Sequence, residues 1–115
     1  MDKADILDHL TAQKSSLVVI SVLNVLGNLE CSRMADWPFE DLSLSEFVLQ
    51  VQKIYSNIDL KNDLIQCCVN EIKNKNSYLI IEGGFRLLKL LESLERYEDC
   101  IILKDIKDSV LLDVG

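Results

Sequence analysis

At 115 residues the chain is the size of one domain and can bury a core without disulfide or metal staples. Its residues are 49% apolar and 27% charged, with one proline and four glycines, which excludes a disordered or low-complexity chain. A formal net charge of −7 argues against direct nucleic-acid binding, which needs clustered Lys and Arg, and suits a basic protein partner whose approach an acidic surface would speed.

The first ten residues, MDKADILDHL, set Ala4, Ile6, Leu7 and Leu10 at helical spacing, with Asp2 and Asp5 where a helix N-terminus favours negative charge. They lack the basic start and apolar run of a signal peptide. A polar break, TAQKSS, separates this helix from residues 15–30, SSLVVISVLNVLGNLE, where Ser15 or Ser16 can serve as the cap. Nine of the thirteen residues at 17–29 are apolar, on almost every side of a helix, so a centrally buried helix is expected. Its Val/Ile density also suits a buried strand, and periodicity does not separate the two. The run is too short and too polar, with Ser21, Asn24 and Asn28, to cross a membrane.

Residues 32–42, SRMADWPFEDL, are irregular, because Pro38 forbids a continuous helix and biases Trp37 toward extended backbone. Ser43 and Glu46 then form a capping-box signature opening a helix to about residue 57, with Leu44, Phe47, Val48, Val51, Ile54 and Tyr55 as its apolar stripe. Asp59 is placed to cap a helix through Leu64, Ile65, Cys68, Val69 and Ile72, which the NKNS break at 74–77 ends. A second greasy segment, residues 77–92 (SYLIIEGGFRLLKLLE), begins a helix reaching residue 94, or a strand followed by a helix near Gly84. Gly83 and Gly84 each cost about 1 kcal/mol against Ala inside a helix, a loss that close approach to a neighbouring helix compensates. A last helix over 98–114 places Ile102, Ile106, Ser109 and Val110 on one stripe, with Leu103 and Leu111 beside it.

An offset of 62 residues aligns 7–30 with 69–92 without a gap. Ser15/Ser77, Leu17/Leu79, Leu26/Leu88, Leu29/Leu91 and Glu30/Glu92 are identical, the apolar positions stay in step, and the breaks TAQK and KNKN coincide. The expectation is an all-α single domain over 1–115. Its six helices would form two stacked three-helix copies, about 2–57 and 59–115. This pattern resembles the HEAT and armadillo helical repeats, which implies scaffolding and binding rather than chemistry. At the same offset the last helix would be cut short, leaving an edge for a homodimer.

No constellation for catalysis emerges. His9, the single histidine, lies beside Asp8 on the expected surface phase of the first helix, with no nucleophile paired to it. Cys31, Cys67, Cys68 and Cys100 lack metal-ligand spacing and suit reduced, buried thiols in a cytoplasmic protein. No cofactor, metal or catalytic residue is expected.

Charge layout is more informative. Asp36, Glu40, Asp41 and Glu46 surround Trp37, Pro38 and Phe39, and the equivalent place in the second copy carries Glu92, Glu95, Glu98 and Asp99, broken by Arg96. Trp37 and Phe39 rimmed by carboxylates form an anchor for a basic protein, or else they plug the seam between the copies while the acids face water. These features are similar in type to small acidic bacterial immunity proteins, which implies a protein-binding inhibitor that covers the basic cleft of a toxin, nuclease-type above all. The alternative is an adaptor that holds a peptide or helix in an apolar groove.

Overall fold

The computed structural model describes the backbone of residues 3–29 and 33–115, and side chains from Ser16 onward within those ranges. The first-helix stripe, the placement of His9 and of Ser15, and Glu30 and Cys31 therefore lie outside the described residues. Among the described residues there are five α-helices: α1 (Lys3–Asn28), α2 (Leu44–Tyr55), α3 (Ile58–Lys75), α4 (Leu79–Ser93) and α5 (Tyr97–Val114). A short 3-10 turn, Met34–Asp36, precedes α2. The all-α expectation holds, and both greasy segments are helix rather than strand.

The count of six does not hold, because the expected first two helices are one. Residues 11–16 contain neither Gly nor Pro, and Ala12, Gln13 and Lys14 propagate a helix well, so α1 runs straight through. Tertiary contact also recruits the break: Ser16 is 1% exposed and its hydroxyl donates to Asp63 Oδ2 on α3 at 3.3 Å. The matching break at 73–76 does end α3, where Asn76 takes a left-handed φ of 46°.

The helix signals elsewhere act as written. Ser43 Oγ accepts from the Glu46 N–H while the Ser43 N–H donates to the Glu46 carboxylate, a complete capping box. The cap of α3 is Asn57 rather than Asp59, since Asn57 Oδ1 accepts from the N–H groups of Asp59 and Leu60. Asp59 sits two residues on, within the first turn, where its charge still faces the positive helix end.

The closest packing in the molecule joins α1 and α4, which run antiparallel. A Cβ on Gly83 would lie 1.9 Å from the Leu23 carbonyl oxygen, and one on Gly27 would lie 2.2 Å from that of Leu79. Each helix thus presents a glycine to a backbone carbonyl of the other, four residues apart on both. Arg86 secures the junction, donating through Nη1 to the carbonyls of Leu26 and Gly27 at 2.7 and 3.1 Å, the open C-terminal end of α1. Helix α5 folds back antiparallel along α4. It also lies beside α3, where Lys61 pairs with Asp105 at 3.0 Å, and beside α2. Phe47, Leu64, Leu87 and Leu91 are sealed in the core between them.

Two consequences correct the sequence reading. First, α1 is not buried all round: Val19, Val22, Leu23 and Leu26 face inward, while Leu17, Val25 and Leu29 are exposed. Second, the 62-residue register does not give equivalent environments. Leu23 is buried and Phe85 exposed, whereas Val25 and Leu29 are exposed and Leu87 and Leu91 buried. The two stretches share composition, yet a rotation about the helix axis separates which residues they bury.

Candidate functional site

The segment at 33–43 is pinned to the start of α2 by aromatic packing. Trp37 stacks edge-on to Phe39 with centroids 5.2 Å apart and lies tilted against Phe47 at 6.2 Å. Its indole N–H donates to the Leu42 carbonyl at 2.8 Å. Trp37 and Phe39 are half-buried and packed against the core at the mouth of α2. Glu40 and Asp41 of the segment are exposed, as are Met34 and Pro38, and Glu46 is exposed in the first turn of α2. Asp36 is half-covered and paired with Arg33 at 3.6 Å.

The second acidic group occupies the turn between α4 and α5, where Glu95 takes a left-handed φ of 58°. Glu92, Glu95 and Glu98 are exposed. Asp99 is not: it is turned inward, accepting from Gln52 Nε2 at 2.6 Å and from Arg96 Nε at 2.9 Å. Asp99 shares the buried side of α5 with Leu103, Ile106 and Val110. Such a buried carboxylate, satisfied from two sides, ties α2 to the α4–α5 turn.

Arg96 makes the connection that the sequence did not reveal. Its Nη1 reaches Ser45 Oγ at 3.4 Å, in the first turn of α2, so the two acidic groups flank one helix end. Residues 33–46 and 92–99 together hold eight of the nineteen acids and two of the twelve bases, which concentrates most of the net charge at this end. The six of these acids that are exposed form an array of a kind that attracts cations and extended cationic surfaces.

Elsewhere three titratable side chains are tied together across three helices. Tyr55 donates to Asp105 Oδ2 at 2.8 Å, Lys61 reaches the same oxygen at 3.0 Å, and the ammonium lies 4.6 Å from the Tyr55 ring centroid. The hydrogen bonds from Tyr55 and Lys61 hold the Asp105 carboxyl below its ordinary range, and the bond to Asp105 raises the Tyr55 phenol. This strut joins α2, α3 and α5, and its pH dependence follows from the two directions. The depressed carboxyl stabilises the fold above its unfolded pKa of about 3.8 and loses that effect as pH falls through the folded value. The raised phenol contributes fully below 10.0 and is lost as pH climbs through the raised value. Subtracting the urea-midpoint profile of Asp105→Asn from that of the native protein should leave a plateau between these limits and a fall on both flanks. Parallel profiles would mean that the strut contributes nothing.

Burial pushes Cys68 up to about 12, and burial also raises Cys67 and Cys100. Among the described residues no cluster of His, Cys, Asp or Glu could hold a metal ion, and no helix is long and apolar enough to cross a membrane. Comparison with protein-family models, with curated proteins and with solved structures returned no match.

Proposed function

We propose that the chain is a protein-binding inhibitor of the immunity type, which places its acidic end in the basic cleft of a toxin domain where nucleic acid would otherwise sit. The observation that carries this reading is the meeting of two acidic turns at the start of α2 through Arg96 and Ser45. Carboxylates gathered on a rigid end keep their spacing as they approach, so they can match a fixed row of cations without ordering a loop first. The helical frame behind them, with its resemblance to stacked helical repeats, serves to hold that end in shape. Trp37 and Phe39 contribute by anchoring the segment that bears Glu40 and Asp41, and Asp99 by fixing Arg96.

A catalytically silenced nuclease domain encoded beside this gene is the probe. The native protein should capture it at about 0.1 M salt and release it progressively toward about 0.5 M as screening shortens. Replacing Glu40, Asp41, Glu95 and Glu98 together by Lys should abolish capture while thermal unfolding shifts by only about 1 kcal/mol or less, because all four are exposed. Capture that ignores salt, or that survives the charge reversal, would overturn the reading. So would a gene neighbourhood with no secreted toxin.

A further inference from the structure

The outer face of the α4–α5 hairpin carries the opposite charge from the tip where it ends. Between the two helices lies an open groove of about 380 Å³ whose apolar wall is Phe85, Leu88 and Ile101. Phe85 is 48% exposed and Ile101 67%, so these side chains have no cover from the protein's own core. Lys89, Lys104 and Lys107 stand along the groove, and Glu92 is the one carboxylate that lines it. Lys107 is largely covered and sits 4.5 Å from the Phe85 ring centroid, where it braces the ring. Lys89 and Lys104 are exposed, and neither forms an ion pair with a described residue.

In a chain with nineteen acids and twelve bases, lysines left unpaired beside uncovered apolar side chains mark a surface of inverted sign. Its complement is a helix with apolar residues one turn apart and acids on either side. The apolar residues would enter between Phe85 and Ile101, and the acids would reach Lys89 and Lys104. We propose that the α4–α5 groove docks an acidic amphipathic helix of a partner protein. This surface is independent of the acidic end, since its occupant carries the opposite charge.

The test uses a fluorescein-labelled helix of about 18 residues built from Leu at i, i+3, i+4 and i+7 with Glu elsewhere, and a twin with Lys for Glu. The Glu peptide should raise anisotropy and shift the methyl resonances of Leu88 and Ile101. Lys89→Glu with Lys104→Glu should weaken it about tenfold or more without lowering the thermal midpoint. The variant with Lys at 40, 41, 95 and 98 should bind it undiminished, so failure at the acidic end and failure here are separable. The proposal would be overturned by no binding of the Glu peptide, resonance shifts confined to other helices, equal occupation of this groove by the Lys peptide, or displacement by anionic phosphatidylglycerol vesicles. A native dimer that the two lysine reversals dissolve would also overturn it, by assigning the groove to a second copy of the chain.

Discussion

Gly83→Ala should cost about 3 kcal/mol and lower the thermal midpoint by roughly 10 °C, whereas Gly84→Ala, one residue along the same helix, should raise it. At Gly83 the new methyl would fall 1.9 Å from the Leu23 carbonyl oxygen. That obstacle is backbone, so no rotamer relieves it, and α1 and α4 have to part by more than an ångström along their shared face. The gain in helix propensity, about 1 kcal/mol, offsets only part of the loss. Separation would also draw the end of α1 away from Arg86, which now satisfies two of its carbonyls.

At Gly84 the balance reverses. It is buried, yet a Cβ there would meet nothing within 4 Å, because it fronts a recess of about 30 Å³ shared with Leu23, Cys68 and Ile106. Alanine keeps the full propensity gain and partly fills the recess, so a rise of about 1 kcal/mol, a few degrees in midpoint, is expected. Urea melts of both variants check the pair. Equal effects would mean that the helices are not in the register described, with Gly83 over Leu23.

Phe47→Ala should be the most damaging single change in the half of the core built on α2, at about 3–5 kcal/mol. Phe47 is 0% exposed, lies against Trp37, and lines a small recess of about 10 Å³ with Val51, Leu87 and Leu103. Against a total stability of about 5–15 kcal/mol for a domain of this kind, that loss can leave the variant largely unfolded at 37 °C. Phe47→Leu keeps much of the volume and provides the informative intermediate. It should cost about 1–2 kcal/mol and shift the emission of Trp37, the single tryptophan, to the red as its ring loses its neighbour. In that variant the Leu42 carbonyl and the carboxylates of Glu40 and Asp41 lose their fixed footing, so binding of a basic partner should weaken before the helices melt. An unchanged Trp37 spectrum would show that the segment is held by something other than this aromatic contact.

Much of the architecture was legible from local chemistry. The stripe of α2, its capping box and the stop at Asn76 are each dictated by residues within a turn or two of one another. Such signals survive in any context because the backbone groups they satisfy are local. The acidic character of the two turns was legible too, since charge is additive along a chain.

What only the tertiary structure decided is where those pieces meet. The polar stretch at 11–16 can carry a helix by its own propensity, and Asp63, nearly fifty residues away, fixes its last residue by taking the Ser16 hydroxyl. Periodicity placed the apolar stripes but not their rotation, so the aligned residues of α1 and α4 bury different faces. Asp99 went inward because Gln52 and Arg96 were waiting for it, and Arg96 in turn brought two acidic turns to the same helix end. Each of these outcomes depends on a partner distant in sequence. A helix's own pattern says how much apolar surface it must cover, and only its neighbours determine which side is covered and which is left for another molecule.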